Sequence, residues 1–135
     1  MKPLLYESLE DAIKFFMALK PCIVLLRGDL ASGKTTMVQT IAKEMGSEDC
    51  VTSPTFGIQN VYSTKEDLIF HYDLYRKDLS ECLELGLLEM LEDKGWHWIE
   101  WGDEVLENLL KQSGFSLLIV TIAKRGENRQ YRISS

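Results

Sequence analysis

Linkers rich in proline, glycine or serine, internal repeats and low-complexity tracts are all missing from this chain. With 135 residues and no seam of that kind, it reads as one domain over 1–135. No apolar run approaches the roughly 18 residues a membrane-spanning helix requires, so no contact with a membrane is expected. The start, Met1-Lys-Pro-Leu-Leu-Tyr-Glu7, lacks the apolar region of a signal peptide. Cysteine is sparse. Cys22, Cys50 and Cys82 are odd in number and widely spaced, with no C-x-x-C, which argues against a zinc knuckle or a disulfide framework. A reducing, cytoplasmic setting fits. His71 and His97 have no second histidine or cysteine at ligand spacing, so they read as packing or hydrogen-bonding residues rather than metal ligands. Positive charge is also short. Fifteen Lys and Arg against 21 Asp and Glu leave a net charge of −6. Affinity for nucleic acid comes largely from Lys and Arg on phosphates, so any RNA connection is expected to run through a partner.

What is present begins with Gly28-Asp29-Leu30-Ala31-Ser32-Gly33-Lys34-Thr35, which fits G-x-x-x-x-G-K-[ST], the phosphate-binding P-loop. Cys22 to Arg27 reads as a buried strand before it. Met37, Val38, Ile41 and Met45 recur at helical spacing after it. The motif therefore sits between a strand and the start of a helix, where loop N–H groups and the helix N-terminus face one anion. In that setting Lys34 reaches the β- and γ-phosphates and the Thr35 hydroxyl ligates Mg²⁺.

The rest of the chain, 45% hydrophobic overall, supplies the frame. Ser8 is placed to cap a helix with Leu9, Ile13, Phe16 and Met17 on its apolar face, stopped by Pro21. Gly46 reads as a helix C-cap. Ser53-Pro54-Thr55 lies in an extended segment, Val51 to Phe56. Gly57 to Tyr62 and Leu68 to Tyr72 read as strands joined by a hairpin loop at Ser63-Thr-Lys-Glu66. Asp78-x-x-Glu81 resembles a capping box before one helix with Leu83, Leu87, Leu88 and Leu91 on one side. Trp96 to Trp101 is a strand, and Gly102-Asp103 opens a helix with Leu106, Leu109 and Leu110. Phe115 to Ala123 and Arg129 to Ile133 form an antiparallel hairpin through Gly126-Glu127-Asn128. The expected fold class is α/β, a P-loop NTPase-like mixed β-sheet flanked by helices, with antiparallel hairpins.

A P-loop needs an acidic partner for the metal or its waters. Glu100 is the first candidate, because an apolar strand ending in a carboxylate is the Walker B layout and ligands bind at strand ends in open α/β sheets. The alternative is an exposed strand-end carboxylate. Asp73, in His71-Tyr-Asp-Leu-Tyr-Arg76, is the second. It reads either as a group that bonds a magnesium-bound water or orients the attacking water, or as a turn residue. Ser53 and Thr55 offer hydroxyls for a switch that orders on γ-phosphate, although serine and proline are common in turns. Arg76 reads as a charge stabiliser, a partner contact or, more commonly, a surface salt bridge. Trp96 and Trp98 read as core, and Trp101 as a residue able to line the nucleotide pocket. Thr64-Lys65-Glu66-Asp67 mimics the guanine-reading T-K-x-D of GTPases, but it falls in a hairpin loop and D-x-x-G is absent. A small-molecule kinase stays open, although no arginine-rich lid segment is present.

Five blocks in order resemble one family. They are G-D-L-x-x-G-K-T-T at 28–36, S-P-T-F at 53–56, H-Y-D-L-Y-R at 71–76, E-L-G-L-x-E at 84–89 and E-W at 100–101. Together they resemble the TsaE (YjeE) family, bacterial P-loop ATPases of tRNA threonylcarbamoyladenosine (t6A) synthesis. The resemblance implies a cytoplasmic, Mg²⁺-dependent ATPase, slow alone, that supports TsaB and TsaD. That pair carries out the transfer to adenosine 37, so tRNA is met only indirectly through the complex. ATP and Mg²⁺ are the implied cofactors, with Asp29, Leu30, Ala31, Ser32, Gly33, Lys34, Thr35 and Thr36 as the ATP-binding stretch. Lys34, Asp73 and Glu100 match the family's catalytic positions, Thr35 and Glu100 its metal positions, and Ser53 and Thr55 its switch-like segment. Besides a kinase, a nucleotide-binding scaffold without turnover remains an alternative. One departure stands out. The family commonly has Gly-Ala where this chain has Ala31-Ser32, and a positive φ at Ala31 would strain an alanine. Both residues are small, so phosphate binding is expected to survive.

Overall fold

The computed structural model describes residues 2–29, 31–49 and 58–135. Seven strands form one sheet: β1 (Leu4–Tyr6), β2 (Ile23–Arg27), β3 (Gln59–Ser63), β4 (Leu68–Asp73), β5 (Trp96–Glu100), β6 (Leu117–Arg125) and β7 (Asn128–Ser134). Their spatial order is β1-β7-β6-β2-β5-β4-β3. The centre, β6-β2-β5-β4, is parallel. Antiparallel partners close both sides, β3 on β4 and β7 then β1 on β6. The α/β class with a mixed sheet is as the sequence implied. Strand β1 was not anticipated, because three residues are too few for an alternating pattern to show.

β2 is buried along Ile23–Leu26, as a parallel strand covered on both faces must be. Its side chains alternate. Val24 and Leu26 pack beneath α1 (Leu9–Met17) and α2 (Lys34–Glu44), with Phe16, Met37, Ile41 and Trp98. Ile23 and Leu25 pack on the other face with Cys82, Leu87, Leu106 and Leu110. Those residues come from α3 (Leu79–Glu84), α4 (Leu87–Met90) and α5 (Glu104–Gln112). The alternation assigns every residue of β5 to a layer. Trp96, Trp98 and Glu100 lie on the α2 side, and His97 and Ile99 on the other.

Local signals hold at most helix starts. Ser8, Asp78 and Asp103 each accept a hydrogen bond from the backbone N–H three residues on. Gly46 follows α2, with Ser47 N–H donating to the Ala42 carbonyl in a closing turn. Several boundaries differ from the expectation. Met17 is 46% exposed, because the buried face of α1 centres on Ala12, Ile13 and Phe16 and the helix ends at Met17. The single helix expected after Asp78 is two, broken where Gly86 adopts φ 91. Its core residues are Cys82, Leu87 and Leu91, while Leu83 and Leu88 are half-buried. Leu109 is likewise half-buried. Trp101 leaves the strand at φ 66. Cys22 and Cys82 are free thiols, and burial pushes that of Cys22 up to about 11. Among the described residues, no helix is long and apolar enough to cross a membrane. The readings on Leu30, Cys50, Ser53, Pro54 and Thr55 lie outside the described residues.

Candidate functional site

The site forms where the parallel strands end. β2 runs into the glycine-rich loop at 28–33, and Gly33 caps α2 with φ 109. Gly28 lies against the sheet so closely that a Cβ would stand 2.8 Å from the Ile122 carbonyl and 2.6 Å from Ser32 Oγ. Ser32 N–H donates to the Asp29 carbonyl at 3.0 Å, which closes the turn of the loop. Ala31 adopts φ 61, the left-handed conformation that the departure from Gly-Ala put in question. Holding a non-glycine residue there costs about 1–3 kcal/mol.

Lys34 and Thr35 are the first two residues of α2. Lys34 Nζ donates to the carbonyls of Gly28 at 2.7 Å and Asp29 at 2.9 Å. It also lies 4.0 Å from the centre of the Trp101 ring, within cation–π range. Lys34 is only 5% exposed. Burial lowers its pKa, and the carboxylates of Glu100, Asp29 and Asp73 oppose that shift.

Glu100 ends β5 on the α2 side and is 3% exposed, not the exposed strand-end carboxylate of the alternative reading. Thr35 Oγ1 lies 3.0 Å from each of its carboxylate oxygens and donates to them. Asp73 ends β4 directly opposite Glu100 in the parallel register. It also accepts from Tyr75 N–H, so it serves the turn as well as lining the cavity. The cavity measures about 440 Å³ and is lined by residues 31–36 with Asp73, Tyr75, Glu100, Trp101 and Arg129. Hydroxyl and carboxylate oxygens suit Mg²⁺, which is commonly held by one or two carboxylates, waters and substrate phosphates. Among the described residues no cluster of His, Cys, Asp and Glu forms an all-protein metal cage.

Two further residues reach the site: the hydrogen-bonding reading of His71 holds, although its carboxylate partner was not foreseen, and Arg129 was not singled out. His71, read as a packing or hydrogen-bonding residue, is fully buried and sets Nε2 2.5 Å from Glu100 Oε2. Its Nδ1 faces the Tyr62 hydroxyl at 3.3 Å. The signal was available: His71 and Asp73 are two apart on one strand and so share a face. Arg129, on β7, donates to the Ser32 carbonyl at 2.6 Å and the Ala31 carbonyl at 3.4 Å. Nothing local to residue 129 points to a loop nearly a hundred positions earlier. Arg76 is exposed and lies over the Tyr75 ring at 5.1 Å, while Tyr75 in turn packs on Trp101. Trp96 and Trp98 are core, as read.

A mixed α/β sheet with a glycine-rich turn feeding a helix, and carboxylates at the adjoining strand ends, is consistent with a nucleotide-binding protein. A family model described as "Threonylcarbamoyl adenosine biosynthesis protein TsaE" matches residues 6–131. The chain belongs to the TsaE family. It is 42% identical over 107 residues to the tRNA threonylcarbamoyladenosine biosynthesis protein TsaE of Rickettsia prowazekii, covering 77% of this chain and 73% of that protein. It is 34% identical over 97 residues to the Bacillus subtilis protein of the same description, covering 72% of this chain and 60% of that one. Among solved structures, Bacillus subtilis YdiB superposes with a TM-score of 0.66 at 25% identity, covering 98% of this chain and 84% of that one.

Proposed function

We propose that this protein is a Mg²⁺-dependent ATPase, an accessory subunit that acts with TsaB and TsaD in bacterial synthesis of t6A at adenosine 37 of tRNA. The carrying observation is the meeting of Thr35 with both oxygens of buried Glu100, beside Lys34 and opposite Asp73. Family membership supports the pathway. In this reading ATP seats its phosphates on the P-loop, residues 29–36. Lys34 turns its ammonium from the loop carbonyls to the β- and γ-phosphates. Thr35 and Glu100 hold Mg²⁺, which when bound neutralises charge on the phosphates. Asp73 positions the attacking water. Trp101 walls the pocket, and the segment carrying Ser53 and Thr55 acts as the γ-phosphate sensor. The net charge of −6 supports a helper that meets tRNA only through its partners.

Phosphate release tests the reading directly. Lys34→Ala is expected to lower turnover at least about a hundredfold, as loss of a charge stabiliser does, while the chain still folds, with a circular-dichroism spectrum like the parent's and a midpoint lowered by the lost bonds to the Gly28 and Asp29 carbonyls. Phosphate found on an acceptor would mark a small-molecule kinase instead. Full partner activity in Lys34→Ala would mark a scaffold. Pull-down of TsaB–TsaD should recover most with a non-hydrolysable ATP analogue and less with ADP, because a partner that prefers the ordered form tightens ATP by the same factor. Equal recovery in all states would remove the switch.

A further inference from the structure

Arg129 is a charged side chain that the proposed chemistry leaves unused, yet it reaches from the β6–β7 hairpin to the loop. Its Nε donates to the Ser32 carbonyl at 2.6 Å and its Nη2 to the Ala31 carbonyl at 3.4 Å. A Cβ on Gly33 would sit 3.3 Å from the same Nε and 3.4 Å from Cδ, so the arginine stem lies along the loop itself. The two carbonyls it holds belong to the peptides on either side of Ser32. A trans peptide sets its N–H opposite its carbonyl, so fixing these carbonyls also fixes the Ser32 and Gly33 amides. The same stretch contains Ala31 at φ 61, a conformation that alanine leaves readily if nothing holds it.

We propose that Arg129 is a positioning residue, a clamp that holds the Ala31–Gly33 peptides in their phosphate-binding arrangement and offsets the strain of a non-glycine residue at position 31. The clamp deepens the nucleotide-site reading and rests on it. It ties the C-terminal hairpin to the phosphate loop through main-chain carbonyls, from a side chain that also lines the cavity.

The test is a double-mutant cycle of Arg129→Ala and Ala31→Gly, read by ADP titration calorimetry and by backbone amide exchange at Ser32 in nucleotide-free protein. Arg129→Ala in the parent chain should weaken ADP about tenfold, the scale of a lost charge-assisted hydrogen bond. In the Ala31→Gly background the same change should weaken it about threefold or less, because glycine adopts the positive φ without strain and leaves the clamp less to offset. The Ser32 amide, bonded to the Asp29 carbonyl, should exchange faster in Arg129→Ala and return toward the parent rate in the double variant. Equal ADP losses in both backgrounds would reduce Arg129 to a general charge and overturn the clamp. Unchanged Ser32 exchange would overturn it as well. If the parent chain binds no ADP, the nucleotide-site reading fails, and the exchange measurement alone decides the clamp.

Discussion

Strands β4 and β5 carry two buried histidines on opposite faces, His71 toward α2 and His97 toward the helices α3–α5. Their surroundings differ in kind. His71 joins a carboxylate: Nε2 meets Glu100, which meets Thr35 at the head of α2. His97 joins only the scaffold: Nε2 donates to the Asp93 carbonyl at 2.7 Å, and Nδ1 takes a 2.7 Å bond from the Tyr72 hydroxyl. Gln59 donates to that same hydroxyl, and the Phe70 ring stacks on His97 at 4.6 Å. Both rings are satisfied, as buried polar groups must be. Only the first network opens onto the cavity. One strand pair thus carries a carboxylate-linked network beside the glycine-rich loop on one face and a scaffold network on the other, separated by the two-residue period of the strand.

The largest break in this comparison is expected from Glu100→Gln. The amide keeps the shape and removes the charge, so phosphate release should fall about 10²–10³-fold, the range for a lost electrostatic stabiliser. ADP affinity by calorimetry should move far less. Equal activity in variant and parent would leave Glu100 as a structural strand-end group.

His71→Ala comes next. Groups that orient a metal-holding side chain typically contribute about 10–100-fold in activity, and the loss here should fall in kcat more than in KM. His71→Gln retains a donor and should recover part of it. A His71→Ala chain that only melts earlier, with full turnover per folded molecule, would erase the distinction between the two histidines.

On the other face, Tyr72→Phe should act on stability alone. It strands His97 Nδ1 without its donor, at a cost of about 1–3 kcal/mol, while turnover stays at the parent value. Burial raises the Tyr72 pKa, so the hydroxyl remains a donor across the working range. Chemical denaturation beside a phosphate-release assay separates the two effects.

The smallest effect is a pH dependence. Burial lowers the His97 pKa below 6.5, with the bond to the Asp93 carbonyl opposing in part. Between the folded value and 6.5 the unfolded chain binds more protons, so stability rises with pH through that window, is lost as pH drops through it, and levels off below the folded value. His97→Gln should flatten this limb in unfolding curves from pH 7.5 to about 5. Glu107, whose pKa the Lys111 and Arg27 bonds lower from 4.5, loses its contribution only at more acid pH, so the two limbs separate. An identical slope in His97→Gln would assign the limb elsewhere.

The sequence by itself determined the elements whose signals are local. The G-x-x-x-x-G-K-T spacing, the caps Ser8, Asp78 and Asp103, and the apolar run of β2 each act within a few residues, so the loop-to-helix junction and the α/β class were legible. Glu100 and Asp73 were legible as strand-end carboxylates, because strand ends face ligands in sheets of this kind. Tertiary structure alone decided that these two strands adjoin, that register sets Asp73 opposite Glu100, and that the two histidines divide between faces. It also decided the break at Gly86, where one apolar stripe reads as a single helix until the backbone turns. Arg129 lies furthest from legibility: its two bonds join residues almost a hundred positions apart, and no local periodicity encodes a contact that exists only once the sheet has closed on β7.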